Sequence, residues 1–270
     1  MAFIHLNYYS NELKTNTDIN IIIPTPTSDE YMYGKDIGYF QEGKLFQVLY
    51  LLHGTYGDYS EWCRQTSIER YAQNYKLAVI MPSCANSYYY DMHDGPHYFT
   101  FLTEELPCYL SNLFPFSLKR EDNFIAGLSM GGYGAWLAAI SKPFLFAAAA
   151  NLSGDPDLSN NLKNTIAKEG PWPFSSIFKD CDIDYFCSSE NYLFNILQNQ
   201  LDQKVELPRL FHSIGTEDIY FKRTQCALEK ISDMGVEITC ENHPGIHDWD
   251  YWDLHIQRAL DWFNLKGTTV

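Results

Sequence analysis

A single α/β domain, with a mostly parallel eight-stranded sheet covered by helices on both faces, is the fold this sequence predicts, on three observations. Eight strand-like runs recur along the 270 residues. Helical patterns lie between them. The later runs are continuously apolar instead of alternating, as strands buried on both faces require.

The elements follow in order. Phe3–Tyr9 and Asp18–Ile23 lead, and the second stops at Pro24. A turn-rich stretch with Pro26, Gly34, Gly38 and Gly43 separates them from Gln47–Leu52. Leu77–Met81, Asn123–Ala126, Phe146–Leu152, Leu207–Ser213 and Val236–Cys240 complete the strands. Ser60–Asn74 reads as one helix, and Phe99–Leu113 as another, bent at Pro107. Gly132–Ser141 directly follows the strand Asn123–Ala126. Thr224–Met234 and Trp249–Asn264 close the chain. Asp155 to about Gln203 breaks the rhythm. It is polar, carries Pro156 and a Pro171-Trp172-Pro173 turn, and is too long for a simple loop. A cap-like helical insertion at about 155–205, lying over the strand ends, is expected there.

Composition bounds the function. A chain of this size buries a large core without disulfides or metals. Its 34 acidic against 19 basic residues leave a formal charge of −15. That disfavours nucleic acid, polyanionic substrates and anionic membranes, which need clustered Lys and Arg. It tolerates a neutral substrate and helps expel a carboxylate product. The seven cysteines are odd in number and include no C-x-x-C. They read as reduced, mostly buried thiols of a cytoplasmic protein. The N-terminus lacks the pattern of a signal peptide, and no apolar run approaches the ~18 residues of a spanning helix.

Residues 123–134 read Asn-Phe-Ile-Ala-Gly-Leu-Ser-Met-Gly-Gly-Tyr-Gly. Gly127-Leu128-Ser129-Met130-Gly131 fits the G-x-S-x-G nucleophile elbow of α/β hydrolases, in its required strand-to-helix context. The chemistry explains the spacing. Ser129 must sit on a sharp turn that projects its hydroxyl above the sheet. Side chains at 127 and 131 would collide with neighbouring backbone. The helix that follows aims its first N–H groups at a developing oxyanion.

Such hydrolases order their triad Ser, then Asp or Glu, then His. Ile214-Gly215-Thr216-Glu217-Asp218 follows a strand end, where Glu217 and Asp218 compete, with Asp218 favoured. His243 and His247 both follow the last strand, and His255 lies in the final helix. His247, in Gly245-Ile246-His247-Asp248-Trp249, best meets the requirement for a base between strand and helix, with His243 its rival. Leu51-Leu52-His53-Gly54-Thr55 ends an early strand where the chain turns over the nucleophile. The backbone N–H groups of Thr55 and Met130 are the candidate oxyanion hole, and His53 reads as structural. His93 and His97 could pair on a metal, but no third convergent ligand is evident, so neither a metal nor an organic cofactor is assigned.

These motifs resemble the esterase D family of α/β hydrolases, and the small bacterial tributyrin esterases within it. Tyr50–Gly54, Gly127–Gly134, Gly215–Asp218 and Gly245–Trp249 carry the resemblance, which spans nearly the whole chain. It implies an eight-stranded sheet, a triad of Ser129, Asp218 and His247 in preference to His243, and Thr55 as first oxyanion donor. Residues 155–205 show nothing specific to the family. The implied activity is serine carboxylesterase chemistry on short-chain acyl esters, of the tributyrin or acetyl-ester type. An S-formylglutathione hydrolase-like thioesterase or a feruloyl esterase is the alternative, and a hydrolase fold kept only for binding is the non-enzyme one. Tyr56, Tyr89 and Trp172 are candidate pocket residues, since aromatics make up 16% of the chain and Tyr88–Tyr90 follow a strand end. The implied partner is a small-molecule ester, with self-association into a homo-oligomer suggested by analogy alone.

Overall fold

The computed structural model describes residues 1–33, 41–159, 177 and 183–266. Among them, eight strands form one sheet in the order β1-β2-β4-β3-β5-β6-β7-β8. These are β1 (Ala2–Ser10), β2 (Thr15–Ile23), β3 (Val48–Leu52), β4 (Ala78–Pro82), β5 (Asn123–Leu128), β6 (Ala148–Leu152), β7 (Arg209–Gly215) and β8 (Ile238–His243). β1 pairs antiparallel with β2, and β2 antiparallel with β4; every other neighbour is parallel. The predicted α/β fold and its mostly parallel sheet are therefore present.

Sequence alternation sorts the strand residues onto two cores. Leu49, Leu51, Val79, Phe124 and Phe211 face one side, under Trp62, Trp252, Ile256 and Phe263. Val48, Tyr50, Leu52, Ile80 and Ile125 face the other, under Leu106, Tyr133, Trp136 and Leu197. All five residues of β3, β4 and β6 are buried, which accounts for the apolar runs of β3 and β4 and for a β6 that is apolar except for buried Asn151. Burial of each such Leu, Ile or Val contributes about 1.5–3 kcal/mol. β8 differs. It is an edge strand with Thr239, Cys240 and Asn242 exposed, and it starts two residues and ends three residues later than its apolar pattern indicated.

The helices show three departures from the sequence reading, and the cysteines a fourth. Ser28–Met32 (α1) forms inside the turn-rich stretch, held by a reciprocal capping box between Thr27 and Glu30. Ser60–Asn74 is two helices, α2 (Glu61–Gln65) and α3 (Ile68–Tyr75), because Thr66 adopts extended backbone (φ −135°, ψ 173°). Its hydroxyl accepts the Ile68 N–H at 3.1 Å, so the chain caps itself at the break. The predicted bend at Pro107 is relieved upstream. Tyr98–Thr100, a π-helical turn Phe101–Glu105 and Leu106–Leu113 run on as one helix, α4, with the wide turn just before the proline. The cysteines are not mostly buried: Cys84 is, but Cys108, Cys226 and Cys240 are exposed.

Beyond β5 come α5 (Met130–Ser141), α6 (Ile183–Ser188), α7 (Leu193–Asp202), α8 (Phe221–Asp233) and α9 (Trp249–Trp262). Within the stretch expected to be an insertion, α7 packs against α5. Its Leu193 and Leu197 are buried, and Gln200 donates to the Ile140 carbonyl at the C-terminal end of α5. It lies in the crossover between β6 and β7. Most of the remaining insertion, including Trp172, lies outside the described residues.

Candidate active site

Three side chains from the ends of β5, β7 and β8 meet above the sheet. Ser129 follows β5 directly and has φ 50° and ψ −118°, a conformation that L-residues rarely adopt. Two features hold it there. Its N–H donates to the Leu152 carbonyl of neighbouring β6 at 2.7 Å, and its own carbonyl accepts the Tyr133 N–H at 3.1 Å, starting α5. The flanking glycines are required by contact. A Cβ on Gly127 would clash with the backbone of Gly131, and one on Gly131 would lie 2.5 Å from the carbonyl oxygens of Leu52 and His53.

Asp218 sits in the turn after β7. Its side chain is wholly buried, and its Oδ1 accepts the Tyr220 N–H at 2.8 Å. The other oxygen, Oδ2, lies 2.7 Å from His247 Nδ1, and His247 Nε2 lies 3.0 Å from Ser129 Oγ. One ring thus bridges carboxylate and hydroxyl, with a separate nitrogen for each. The rival acid, Glu217, is exposed and instead accepts the Gly245 N–H at 2.7 Å. That bond and the side-chain hydrogen bond from Thr216 hold its carboxyl below the usual range. It ties down the loop that carries His247. The rival base, His243, lies 3.3 Å from the Glu241 carboxylate.

His247 is fixed by its neighbours as well. Asp248 caps α9 by accepting the Tyr251 N–H at 3.1 Å, which sets where the loop ends and the helix begins. The rings of Tyr220 and Trp252 both stand edge-on to the imidazole at 4.9 Å. Trp252 is anchored in turn by its indole N–H, 3.1 Å from Ser153 Oγ. Arg223 lies over the Tyr220 ring at 4.0 Å and pairs with buried Asp155 at 2.8 Å. The sequence reading missed Tyr220 and Trp252. Their signal was position: one stands two residues past the acid, the other in the first turn of the helix after the base.

The early strand end supplies the facing loop. His53 is buried; its Nδ1–H donates to the Gly54 carbonyl at 2.7 Å and its Nε2 accepts the Cys84 N–H at 2.9 Å. Burial lowers its pKa, so the ring is neutral and acts as a clamp within the turn. Thr55 and Met130 have backbone N–H groups with no protein acceptor among the described residues. Both amides are therefore free to donate to a ligand.

The aromatic pocket residues divide. Tyr56 is exposed, at φ 69°, with its N–H held by Asn86 Oδ1 at 2.6 Å. Tyr89 does not line an open pocket. Its ring has no exposed surface, fills the space against Gly134, and donates its hydroxyl to the His53 carbonyl at 2.8 Å. A tyrosine beside a strand end is pulled inward whenever a buried carbonyl needs its O–H. Of the histidine pair, His93 faces Asp94 and His97 faces Glu12; no described third ligand joins them. Among the described residues, no helix is long and apolar enough to cross a membrane.

Known proteins are similar to this chain over nearly its whole length. The family described as "Putative esterase" matches residues 10–263. An acetyl esterase of Caldicellulosiruptor saccharolyticus is 28% identical over 98% of this chain and 98% of its own. The structure of FphF, a fluorophosphonate-binding serine hydrolase of Staphylococcus aureus, superposes with a TM-score of 0.85. It is 32% identical and covers 97% of this chain and 98% of that one. An S-formylglutathione hydrolase (FrmB) of Staphylococcus aureus gives a TM-score of 0.81 at 33% identity, with the same coverage.

Proposed function

The chain belongs to the esterase family and is a carboxylic-ester hydrolase; from that premise we propose that it cleaves short-chain acyl esters, of the acetyl or tributyrin type, through an acyl-enzyme on Ser129. The observation that carries the proposal is the unbroken chain from Asp218 through His247 to Ser129, at 2.7 and 3.0 Å.

The chemistry runs in two halves. His247 Nε2 takes the Ser129 proton as Oγ attacks the ester carbonyl carbon. Asp218 keeps the other ring proton on Nδ1 and stabilises the imidazolium. The N–H groups of Thr55 and Met130 receive the oxyanion, and each such donor is worth about 10²–10³ in rate. The tetrahedral intermediate collapses, and the imidazolium gives its proton to the departing alcohol. Water then attacks the acyl carbon with His247 as base; the second intermediate collapses by breaking the bond to Ser129 Oγ, which takes the proton back from the imidazolium, and the acid leaves. The formal charge of −15 favours departure of a carboxylate. Tyr220 and Trp252 keep the ring from swinging out of line between these steps.

The acyl preference rests on the acetyl esterase relative. A thioesterase acting on S-formylglutathione is the second reading, supported by the relative of that name. The test is turnover of p-nitrophenyl esters from acetate to octanoate, S-formylglutathione and methyl ferulate, by wild type and Ser129→Ala. We expect acetate and butyrate to lead, and the variant to lose at least about 10³-fold in kcat. Equal rates in the two proteins would remove Ser129 from the reaction, and a dominant S-formylglutathione rate would replace the acyl-ester reading.

A further inference from the structure

β8 ends in Glu241-Asn242-His243, and α9 folds back beside it carrying His255. Strand periodicity puts residues 241 and 243 on one face. Glu241, His243 and His255 each offer a ligand atom, and these atoms all lie within 4.8 Å of one another. We propose that they form a binding site for one divalent transition-metal ion of the zinc class, separate from the site at Ser129 and independent of the esterase reading.

His255 is the strongest argument. It is 1% exposed, and its Nε2 is buried with no hydrogen-bond partner. A buried imidazole nitrogen without a partner calls for an explanation; His212 Nδ1 is another, but among the described residues it belongs to no cluster of metal-ligating groups, whereas His255 does. The opposite nitrogen, Nδ1, lies 2.8 Å from Ser213 Oγ, which lies 2.7 Å from the Tyr251 hydroxyl. That contact holds the ring by Nδ1 and leaves Nε2 as the nitrogen without a protein partner, as outer-shell partners do behind metal-bound histidines. Tyr251 also stacks on the ring at 3.8 Å, which sets its plane.

The other two ligands are spaced for the same ion. His243 Nε2 and Glu241 Oε2 are 3.3 Å apart. Two ligands at about 2.0–2.2 Å from a tetrahedral zinc are separated by about 3.3–3.5 Å. Two imidazoles and one carboxylate form a borderline donor set suited to zinc or cobalt, and unlike the all-oxygen shells of calcium or magnesium. One group opposes a cation: Arg258 donates its Nε to the same Glu241 oxygen. Its side chain is 44% exposed, so it can withdraw into solvent when a divalent ion takes its place.

The position gives the ion something to do. The His243 carbonyl accepts the Thr216 N–H at 2.8 Å, and Glu217 holds the Gly245 N–H. These bonds stitch the loop bearing Asp218 to the loop bearing His247. An ion on His243 therefore braces both.

Titration of untagged protein with Co²⁺, followed by its d–d absorption, tests the site, with displacement by Zn²⁺ as confirmation. We expect about one Co²⁺ per chain and a raised melting temperature. His243→Ala and Glu241→Gln alter partly exposed side chains, and each should weaken binding by at least about 100-fold while melting near the metal-free wild type. His247→Ala should bind Co²⁺ as wild type does. No Co²⁺ band in wild type, undiminished binding in His243→Ala, or loss of the band in His247→Ala would each overturn the proposal, the last by moving the ion to the triad.

Discussion

Replacing Asp218 by Asn tests how the buried carboxylate works, because its two oxygens have different duties. Oδ2 faces His247 Nδ1 at 2.7 Å, and Oδ1 accepts the Tyr220 N–H at 2.8 Å. An amide can serve only one of these as acceptor. If its oxygen turns to His247, its NH₂ meets the Tyr220 N–H, donor against donor, in a site with no solvent. An unsatisfied buried donor costs about 1–3 kcal/mol, or ten- to a hundredfold in rate at about 1.4 kcal/mol per decade. If the oxygen stays on Tyr220, the NH₂ donates to Nδ1 instead. The ring proton then moves to Nε2, where it faces Ser129 and abolishes the base. That arrangement satisfies both hydrogen bonds, so it dominates the ground state, and in triads of this kind it lowers kcat by about 10⁴. We therefore expect Asp218→Asn to lose about 10³–10⁴ in kcat on p-nitrophenyl acetate, with KM changed by no more than about threefold. Glu217→Gln keeps an acceptor for the Gly245 N–H and should cost less than about fivefold. An Asp218→Asn enzyme within tenfold of wild type, or one outperforming Glu217→Gln, would refute the assignment.

Three further expectations follow from the same geometry. Gly127→Ala sets a methyl against the backbone of Gly131, which cannot yield as a side chain would; a loss above about 3 kcal/mol in urea unfolding is expected, and a change under about 1 kcal/mol would contradict the packing. Trp252→Phe removes the indole bond to Ser153 and loosens the edge contact with His247; kcat should fall about five- to twentyfold with KM little altered, and an unchanged kcat would show that the ring needs no such support. Burial lowers the His212 pKa from 6.5 to about 4, against the opposing pull of its bond to the Gly154 carbonyl. The folded state thus resists protonation: stability is full above pH 6.5, falls between 6.5 and about 4, and loses about 3 kcal/mol from this site. Urea midpoints at pH 7.5, 5.5 and 4.5 should track that loss, and His212→Asn should flatten it.

The sheet was legible where burial on both faces wrote an unbroken apolar run, as in β3 and β4. It was less so at β8, whose edge position admits Asn242 and His243 and so shifts its apparent end. The helix break at Thr66 was hidden because a single hydroxyl, and no proline or glycine, makes it. The residues of the Ser129–His247–Asp218 chain could be named because each lies at a fixed offset from a strand end. The pocket could not be read the same way. Whether Tyr89 points inward or outward depends on the His53 carbonyl, 36 residues earlier, which local pattern does not encode. The group at Glu241, His243 and His255 was invisible for a similar reason. It joins an edge strand to a helix turn, and in the sequence His243 reads only as a rival base.

From Met130 to Ile140, α5 has no residue facing water. Most helices have a wet side from which they can fray, but this one is enclosed all round. Its amides should exchange with deuterium only through cooperative opening of the entire molecule, on the slowest timescale the protein shows. The turn before it inherits that rigidity. Heat or denaturant should therefore extinguish turnover together with global unfolding, with no earlier stage in which an intact sheet carries a misplaced nucleophile.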